Sequence, residues 1–98
     1  MNELYIIKFK PTRSDFIKSI TEEESQIIGD HFTHISALKK QGQLLLAGRK
    51  TDAGFGIVIF RAPSPEDAKD FLESDPAVRS RVFEGSVGAF EIAIADDG

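Results

Sequence analysis

Apolar residues recur at helical spacing between Thr21 and Gln41, and this pattern predicts a long amphipathic helix. The apolar stripe consists of Ile27, Ile28, Ile35 and Leu38, with Phe32 at its edge. At about 100° per residue, His31 falls inside this stripe rather than on the polar side. A buried imidazole needs a partner, because an unpaired buried polar group costs free energy. His31 is therefore the first candidate for chemistry, although a packed structural histidine gives the same pattern.

Further apolar runs predict four strands and a second helix. The strands are expected at Leu4–Lys10, Gln43–Ala47, Phe55–Arg61 and Val87–Ala95. Thr21 and Glu24 form a capping-box pattern at the start of the first helix, and Ser64 followed by proline starts the second at Pro65–Asp75. The order βαββαβ predicts a ferredoxin-like α+β fold, in which a four-stranded antiparallel sheet carries both helices on one face.

Both faces of the predicted sheet are apolar. In the first strand, Leu4 and Ile6 face one side and Tyr5, Ile7 and Phe9 face the other. Because the helices cover one face only, the open face needs a cover. The simplest cover is the same face of a second copy, so the pattern predicts a homodimer packed sheet to sheet. The alternative is a monomer that is partly shielded by residues 12–20.

Composition indicates a single globular domain over residues 1–98, large enough for a core without metal or disulfide support. The absence of cysteine excludes thiol catalysis and cysteine-ligated zinc. No apolar run approaches the roughly 20 residues of a membrane span, and the first residues lack the layout of a signal peptide. We therefore expect a cytoplasmic protein without a membrane partner.

Charge favours a small anionic ligand over nucleic acid. The net charge is −4, whereas binding to phosphate backbones needs clustered basic residues. The densest basic spot, Arg49–Lys50, is large enough for one small anion. Arg49 is thus a candidate for binding a substrate carboxylate, and a solvated turn is the alternative.

Helix geometry brings a carboxylate toward His31. The helices of this fold run antiparallel, and the ten residues from Pro65 to Asp75 rise about 15 Å, as do the ten from Gln41 back to His31. Asp75 is therefore expected at the level of His31, where it could fix the imidazole tautomer in a His–Asp dyad. Asp75 also suits the N-cap of a short helix that starts at Pro76. One carboxylate can fill both roles with its two oxygens.

A metal site is a weaker interpretation. His31 and His34 have the spacing of a His-x-x-His pair, but the sequence sets no third ligand, and Asp30 points away from the stripe. We predict neither a metal nor a cofactor. His34, at the edge of the stripe, joins Arg49 as a candidate substrate-binding residue.

Two stretches of the chain resemble the YciI-like (YCII-related) family of small ferredoxin-like proteins. Residues 31–48, HFTHISALKKQGQLLLAG, are similar to the family's histidine-led helix that runs into Gly-x-Leu-Leu-x-Ala-Gly. Residues 74–78, SDPAV, are similar to the family's Asp-Pro segment after the second helix. The strand Tyr5–Ile7 and the helix around Glu66–Ala68 also fit, so the likeness spans nearly the whole chain.

The resemblance implies a dimeric α/β-barrel-like assembly and an active site built on a His–Asp pair, which corresponds here to His31 and Asp75. His34 is not the matching histidine. Some relatives are linked to lyase-type chemistry on chlorinated aromatic rings. The chain departs from the pattern at Arg49, where many members carry proline, and in its last strand, which lacks the usual Pro-aromatic ending. The substrate of these relatives can therefore not be assigned to this chain from the resemblance.

Together these features predict a small homodimeric enzyme without a cofactor. His31 would move a proton on a small organic substrate, Asp75 would orient the imidazole, and Arg49 would help to hold the substrate. Isomerisation or elimination fits better than hydrolysis, because the sequence shows no nucleophile. The alternative is a non-catalytic module that binds a small molecule or a protein partner in the same cleft.

Overall fold

Strands and helices follow one another in the predicted βαββαβ order, with a short helix added at two connections. The computed structural model describes residues 3–96, so both ends of the predicted domain, residues 1–2 and 97–98, lie outside the described residues. The strands are β1 (Glu3–Pro11), β2 (Leu44–Arg49), β3 (Gly56–Ala62) and β4 (Phe83–Ala89). The helices are α1 (Phe16–Ser19), α2 (Glu22–Lys40), α3 (Pro65–Glu73) and α4 (Pro76–Arg79).

The sheet has the strand order β2-β3-β1-β4, and every neighbouring pair is antiparallel. Ile7 in the central strand β1 lies opposite Val58 of β3 and Val87 of β4. The core lies between this face of the sheet and the two long helices, which contribute Ile35 and Leu38 from α2 and Ala68 and Leu72 from α3. The predicted ferredoxin-like fold is confirmed.

Local sequence signals set the starts of both long helices. The amide of Glu24 donates to the Thr21 hydroxyl at 3.1 Å, and the amide of Thr21 donates to the Glu24 carboxylate at 3.0 Å. Ser64 caps α3 by accepting from the amide of Asp67 at 3.1 Å. Each cap contributes about 1 kcal/mol and satisfies backbone N–H groups that have no partner within the helix. Within residues 3–96, no helix is both long enough and apolar enough to cross a membrane.

The prediction for the last strand is wrong in its bounds. It was expected at Val87–Ala95, whereas β4 covers Phe83–Ala89 and its last residue pairs with Tyr5 of β1. The start of this strand was predicted at Val87 rather than Phe83 because of Gly85, since glycine is unfavourable in strands. A Cβ at Gly85 would lie 2.6 Å from Cδ1 of Leu72, so the Leu72 side chain occupies the space that a side chain at position 85 would need.

Residues 12–20 lie on the helix side of the sheet, not on its open face. Phe16 of α1 is buried against Ala77 and Val82, beside Phe83. The segment therefore does not shield the open face, as the monomer alternative required. That face carries the half-buried Ile6 and Ile57.

Candidate active site

His31 lies midway along α2, with its ring directed at the sheet and only 5% of the residue exposed. Three phenylalanine rings surround the imidazole in edge-to-face contacts. The centroid distances are 4.9 Å to Phe9, 5.2 Å to Phe83 and 5.3 Å to Phe32. Edge-to-face packing of this kind restrains the ring orientation and keeps water from its faces.

Asp75 is completely buried in the short connection between α3 and α4. Its Oδ2 lies 2.7 Å from Nδ1 of His31, and its Oδ1 accepts the amide N–H of Ala77 at 2.8 Å. The carboxylate therefore caps α4 and holds the imidazole at the same time, as the two oxygens allow. The sequence argument placed the two side chains together, and the structure contains that contact.

The contact decides which ring nitrogen is available for chemistry. A carboxylate can only accept, so Nδ1 of His31 carries a proton and donates it to Asp75. In the neutral imidazole the lone pair then lies on Nε2. No hydrogen bond engages Nε2 within residues 3–96, and no buried side-chain nitrogen or oxygen of the described chain lacks a partner. Nε2 must therefore reach accessible space.

His31 lines a cavity of about 350 Å³. It lies between α1, α2 and the strand ends, and its walls are largely apolar, with side chains that include Phe16, Ile17, Ile20 and Phe32. Among the lining residues of the described chain, His31 and Arg49 are the two with ionisable side chains. A cavity with apolar walls and two polar groups is typical of a small-molecule site.

Arg49 is the last residue of β2 and lines this cavity. It lies opposite Gly56, which places its side chain on the helix side of the sheet. A Cβ at Gly56 would lie 3.3 Å from the carbonyl oxygen of Gly48 and 3.7 Å from Cβ of Arg49, so β2 and β3 approach each other closely at this point. Arg49 is exposed and forms no ion pair with another described residue. Its charge is thus available to an anionic ligand.

His34 lies apart from these three residues. Its ring stacks on Phe71 of α3 with centroids 4.1 Å apart, and its Nε2 donates to the carbonyl of Phe71 at 2.8 Å. It lines a second hollow of about 290 Å³ that shares no lining residue with the first. The structure therefore brings together His31, Asp75 and Arg49 but not His34. Within residues 3–96, no cluster of three or more His, Cys, Asp or Glu side chains is arranged to hold a metal ion.

Sequence reasoning missed the contacts of Phe9 and Phe83 with His31 and the wall that residues 12–20 build. A signal existed for Phe9, because it alternates with Tyr5 and Ile7 on the helix-facing side of β1. No signal pointed to Phe16 and Ile17, because a four-residue helix in a polar segment has too few positions to show a period.

Arg13 links the cavity wall formed by residues 12–20 to the start of α2. Its guanidinium donates to both carboxylate oxygens of Glu24, with Nη2 at 2.8 Å from Oε1, and also to the carbonyl of Ser19 at 2.8 Å. It lies 4.9 Å from the ring centroid of Phe16. Arg13, and secondly the backbone N–H of Thr21, lower the pKa of Glu24 from 4.5 to about 2.

The Arg13–Glu24 pair predicts a pH-dependent stability. Since the pKa of Glu24 is lowered on folding, its contribution is complete above pH 4.5 and is lost as the pH falls toward 2. Glu24→Gln keeps an oxygen for the capping box but removes the charge. We expect the wild type to melt at a higher temperature than Glu24→Gln at pH 7, and the difference to shrink in thermal scans between pH 4.5 and 2. Glu23→Gln, in the same turn, is the matched control. A difference that stays constant over this pH range contradicts the prediction.

The sequence matches the family model of the YCII-related domain over residues 1–91. The chain belongs to the YCII-related family. The resemblance seen in the histidine-led helix and the Asp-Pro segment is thereby confirmed. No curated protein matches the sequence significantly.

Two solved structures share the fold of this YCII-related protein. One is 5-chloro-2-hydroxyhydroquinone dehydrochlorinase from Burkholderia phenoliruptrix AC1100 in complex with 2,5-dihydroxybenzoquinone. It has a TM-score of 0.70 and 18% identity, covering 90% of this chain and 93% of that one. The other is a muconolactone isomerase, with a TM-score of 0.69 and 18% identity, covering 97% and 99%. At this identity the similarity establishes the fold alone.

Proposed function

We propose that this YCII-related protein is an enzyme that moves a proton on a small anionic organic substrate, with His31 as general base and Asp75 as its positioning partner. One observation carries the proposal. A buried imidazole is bound through Nδ1 to a buried carboxylate at 2.7 Å and lines an apolar cavity of about 350 Å³. A histidine that served packing alone would not need an accessible ring nitrogen beside such a cavity.

The chemistry follows from the assigned tautomer. Nε2 of His31 takes a proton from a substrate C–H or O–H bond, and Asp75 stabilises the imidazolium that forms. Only 6% of the His31 side chain and none of the Asp75 side chain is exposed, so the hydrogen bond between them acts in a medium of low dielectric constant. If the imidazolium returns the proton to another substrate atom, the reaction is an isomerisation. If the electron pair instead expels a leaving group from the adjacent carbon, the reaction is an elimination.

Arg49 gives the proposed site its preference for anions. It is the one permanently charged side chain among the described lining residues, and it stands at the end of β2, where a carboxylate or enolate could meet it. The names of the two structural neighbours support both reaction types, because a dehydrochlorinase performs an elimination and a lactone isomerase performs an isomerisation.

We also propose that two copies pack sheet to sheet, as the sequence pattern predicted. The open face carries the half-buried Ile6 and Ile57, and Leu46 at its edge is 45% exposed. A second copy would remove this apolar surface from water, which is the usual basis of such association. Chromatography with light scattering on the full chain tests the stoichiometry.

Three assays test the proposed activity. They are chloride release from 5-chloro-2-hydroxyhydroquinone, isomerisation of muconolactone, and deuterium uptake from D₂O into small unsaturated carboxylates followed by NMR. We expect turnover in at least one assay, and a loss of about 10²-fold or more in His31→Gln. His34→Gln is the matched control, since it is the same substitution one turn away and outside the cavity.

Two results contradict the proposal. The first is turnover that His31→Gln does not reduce. The second is carboxylate binding by the wild type, measured by calorimetry, without proton exchange in any assay. The second result would favour the non-catalytic binding module.

A further inference from the structure

The cavity that His31 lines has a buried inner end and an exposed, apolar mouth. His31 and Phe9 are buried and mark the inner end. The mouth carries three large apolar side chains, Ile17, Ile20 and Phe32, which are 53%, 38% and 56% exposed. Exposed apolar surface is thus continuous with the proposed active site.

These three side chains are grouped rather than scattered over the surface. Residues 3–96 contain seven large apolar side chains that are exposed, and the other four lie on β2 or after β4. The three at the mouth come from α1, from the residue that ends α1 and from α2, yet they line one opening. Single exposed apolar residues are ordinary, whereas a group of them around a cavity indicates a surface that a ligand covers.

The sheet contributes a charge to the same cavity. Arg49, at the end of β2, is exposed and forms no ion pair with another described residue. The next residue, Lys50, binds Asp52 at 3.2 Å, so its charge is already partnered. The cavity therefore has a cationic group on the sheet and an apolar wall on the helices.

The size of the cavity suits a ligand that reaches both groups. Its volume of about 350 Å³ falls in the range, roughly 300–1,000 Å³, of sites that hold drug-sized ligands. A small polar acid would satisfy Arg49 and His31, but it would have no apolar group to place against the mouth. A ligand that complements the whole site is amphipathic.

We propose that the substrate is an amphipathic acid, in which Arg49 binds the carboxylate and an alkyl substituent lies against Ile17, Ile20 and Phe32. This inference rests on the proposed function and deepens it, because it names the class of acid whose proton His31 moves. The reacting carbon lies at Nε2 of His31, and the alkyl group extends from there to the mouth. Binding removes the surfaces of the alkyl group and of the mouth from water together.

Binding of saturated acids tests this assignment without turnover. The probes are butanoate, hexanoate and octanoate, and calorimetry on the full chain measures their dissociation constants. We expect the constant to fall about two- to fourfold with each added methylene group. In NMR spectra, octanoate should shift the ring signals of His31 and leave those of His34 unchanged. The same dissociation constant for all three acids overturns the proposal.

Substitutions separate the two ends of the ligand. Ile17→Ser and Ile20→Ser, both at exposed positions, should weaken octanoate binding by about threefold or more and reduce the gain per methylene group. Ile17→Leu, which keeps the apolar surface, is the matched control and should bind octanoate like the wild type. Arg49→Gln should weaken all three acids by the same factor, because it acts on the carboxylate. If both serine variants bind octanoate as tightly as the wild type, the alkyl group lies elsewhere and the proposal is wrong.

The proton-transfer assays distinguish failure of this proposal from failure of the proposed function. Binding that strengthens with chain length, without proton exchange in any assay, would refute the role of His31 as a base and support an amphipathic acid as the ligand of a binding module. Turnover of short acids that does not improve with an added alkyl group, together with binding that does not depend on chain length, would leave the proposed function standing and refute the alkyl substituent.

Discussion

Asp75→Asn is expected to lower the rate of proton transfer by about 10³–10⁴-fold while the chain stays folded. The asparagine must keep its oxygen toward the amide of Ala77, because the alternative orientation sets an NH₂ group against that N–H. Its NH₂ group then faces Nδ1 of His31, which can only accept. The proton moves to Nε2, and the lone pair that faced the cavity is lost. The substitution thus reverses the tautomer without changing the shape of the site.

Nitrogen NMR of the imidazole checks this mechanism apart from activity. In the wild type Nδ1 should be the protonated nitrogen, and in Asp75→Asn it should be Nε2. Asp70→Asn, on the exposed side of α3, is the matched control and should change neither the spectrum nor the rate. A variant that reverses the tautomer but keeps full activity would show that His31 is not the base.

Asp75→Ala should cost about 3–5 kcal/mol of folding free energy. The substitution removes both hydrogen bonds of a completely buried carboxylate at once. Nδ1 of His31 then has no acceptor in a shell of phenylalanine rings, and α4 loses its N-cap, which by itself is worth about 1 kcal/mol. The loss should therefore far exceed that of an ordinary surface substitution.

Urea denaturation of four proteins measures this effect: the wild type, Asp75→Ala, His31→Ala and the double variant. Because the two side chains share one hydrogen bond, their losses should not add, and the double variant should be more stable than the sum predicts. A loss below 1 kcal/mol for Asp75→Ala would mean that water reaches this pair, and the proposed low-dielectric site would fail with it.

The sequence predicted the His31–Asp75 contact because both residues lie on regular elements. The rise per residue of an α-helix is constant, so the distance of His31 and Asp75 from the same end of the sheet could be counted along the chain. The apolar stripe of α2 then indicated that the His31 side chain points toward the core. The N-cap role of Asp75 was predictable for the same reason, since Asp-Pro is a local signal.

The rest of the site depends on contacts between distant segments. The cavity exists because Phe16 inserts beside Phe83 and Arg13 binds Glu24, and no local pattern encodes either approach. His34 shows the same limit. Its place on the edge of the stripe suited a ligand contact, but Phe71 of α3 offers both a ring to stack on and a carbonyl to bind.

The fold class, the family and the pairing of an imidazole with a carboxylate were determined by the sequence alone. Hydrophobic periodicity, helix caps and residue spacing depend on residues that are close in the sequence. They can therefore be recognised without knowledge of the tertiary packing. Tertiary structure decided the bounds of β4, the wall of the cavity and the separation of His34 from Arg49. Each of these depends on which surfaces meet, and that is set by shape and burial across the whole chain.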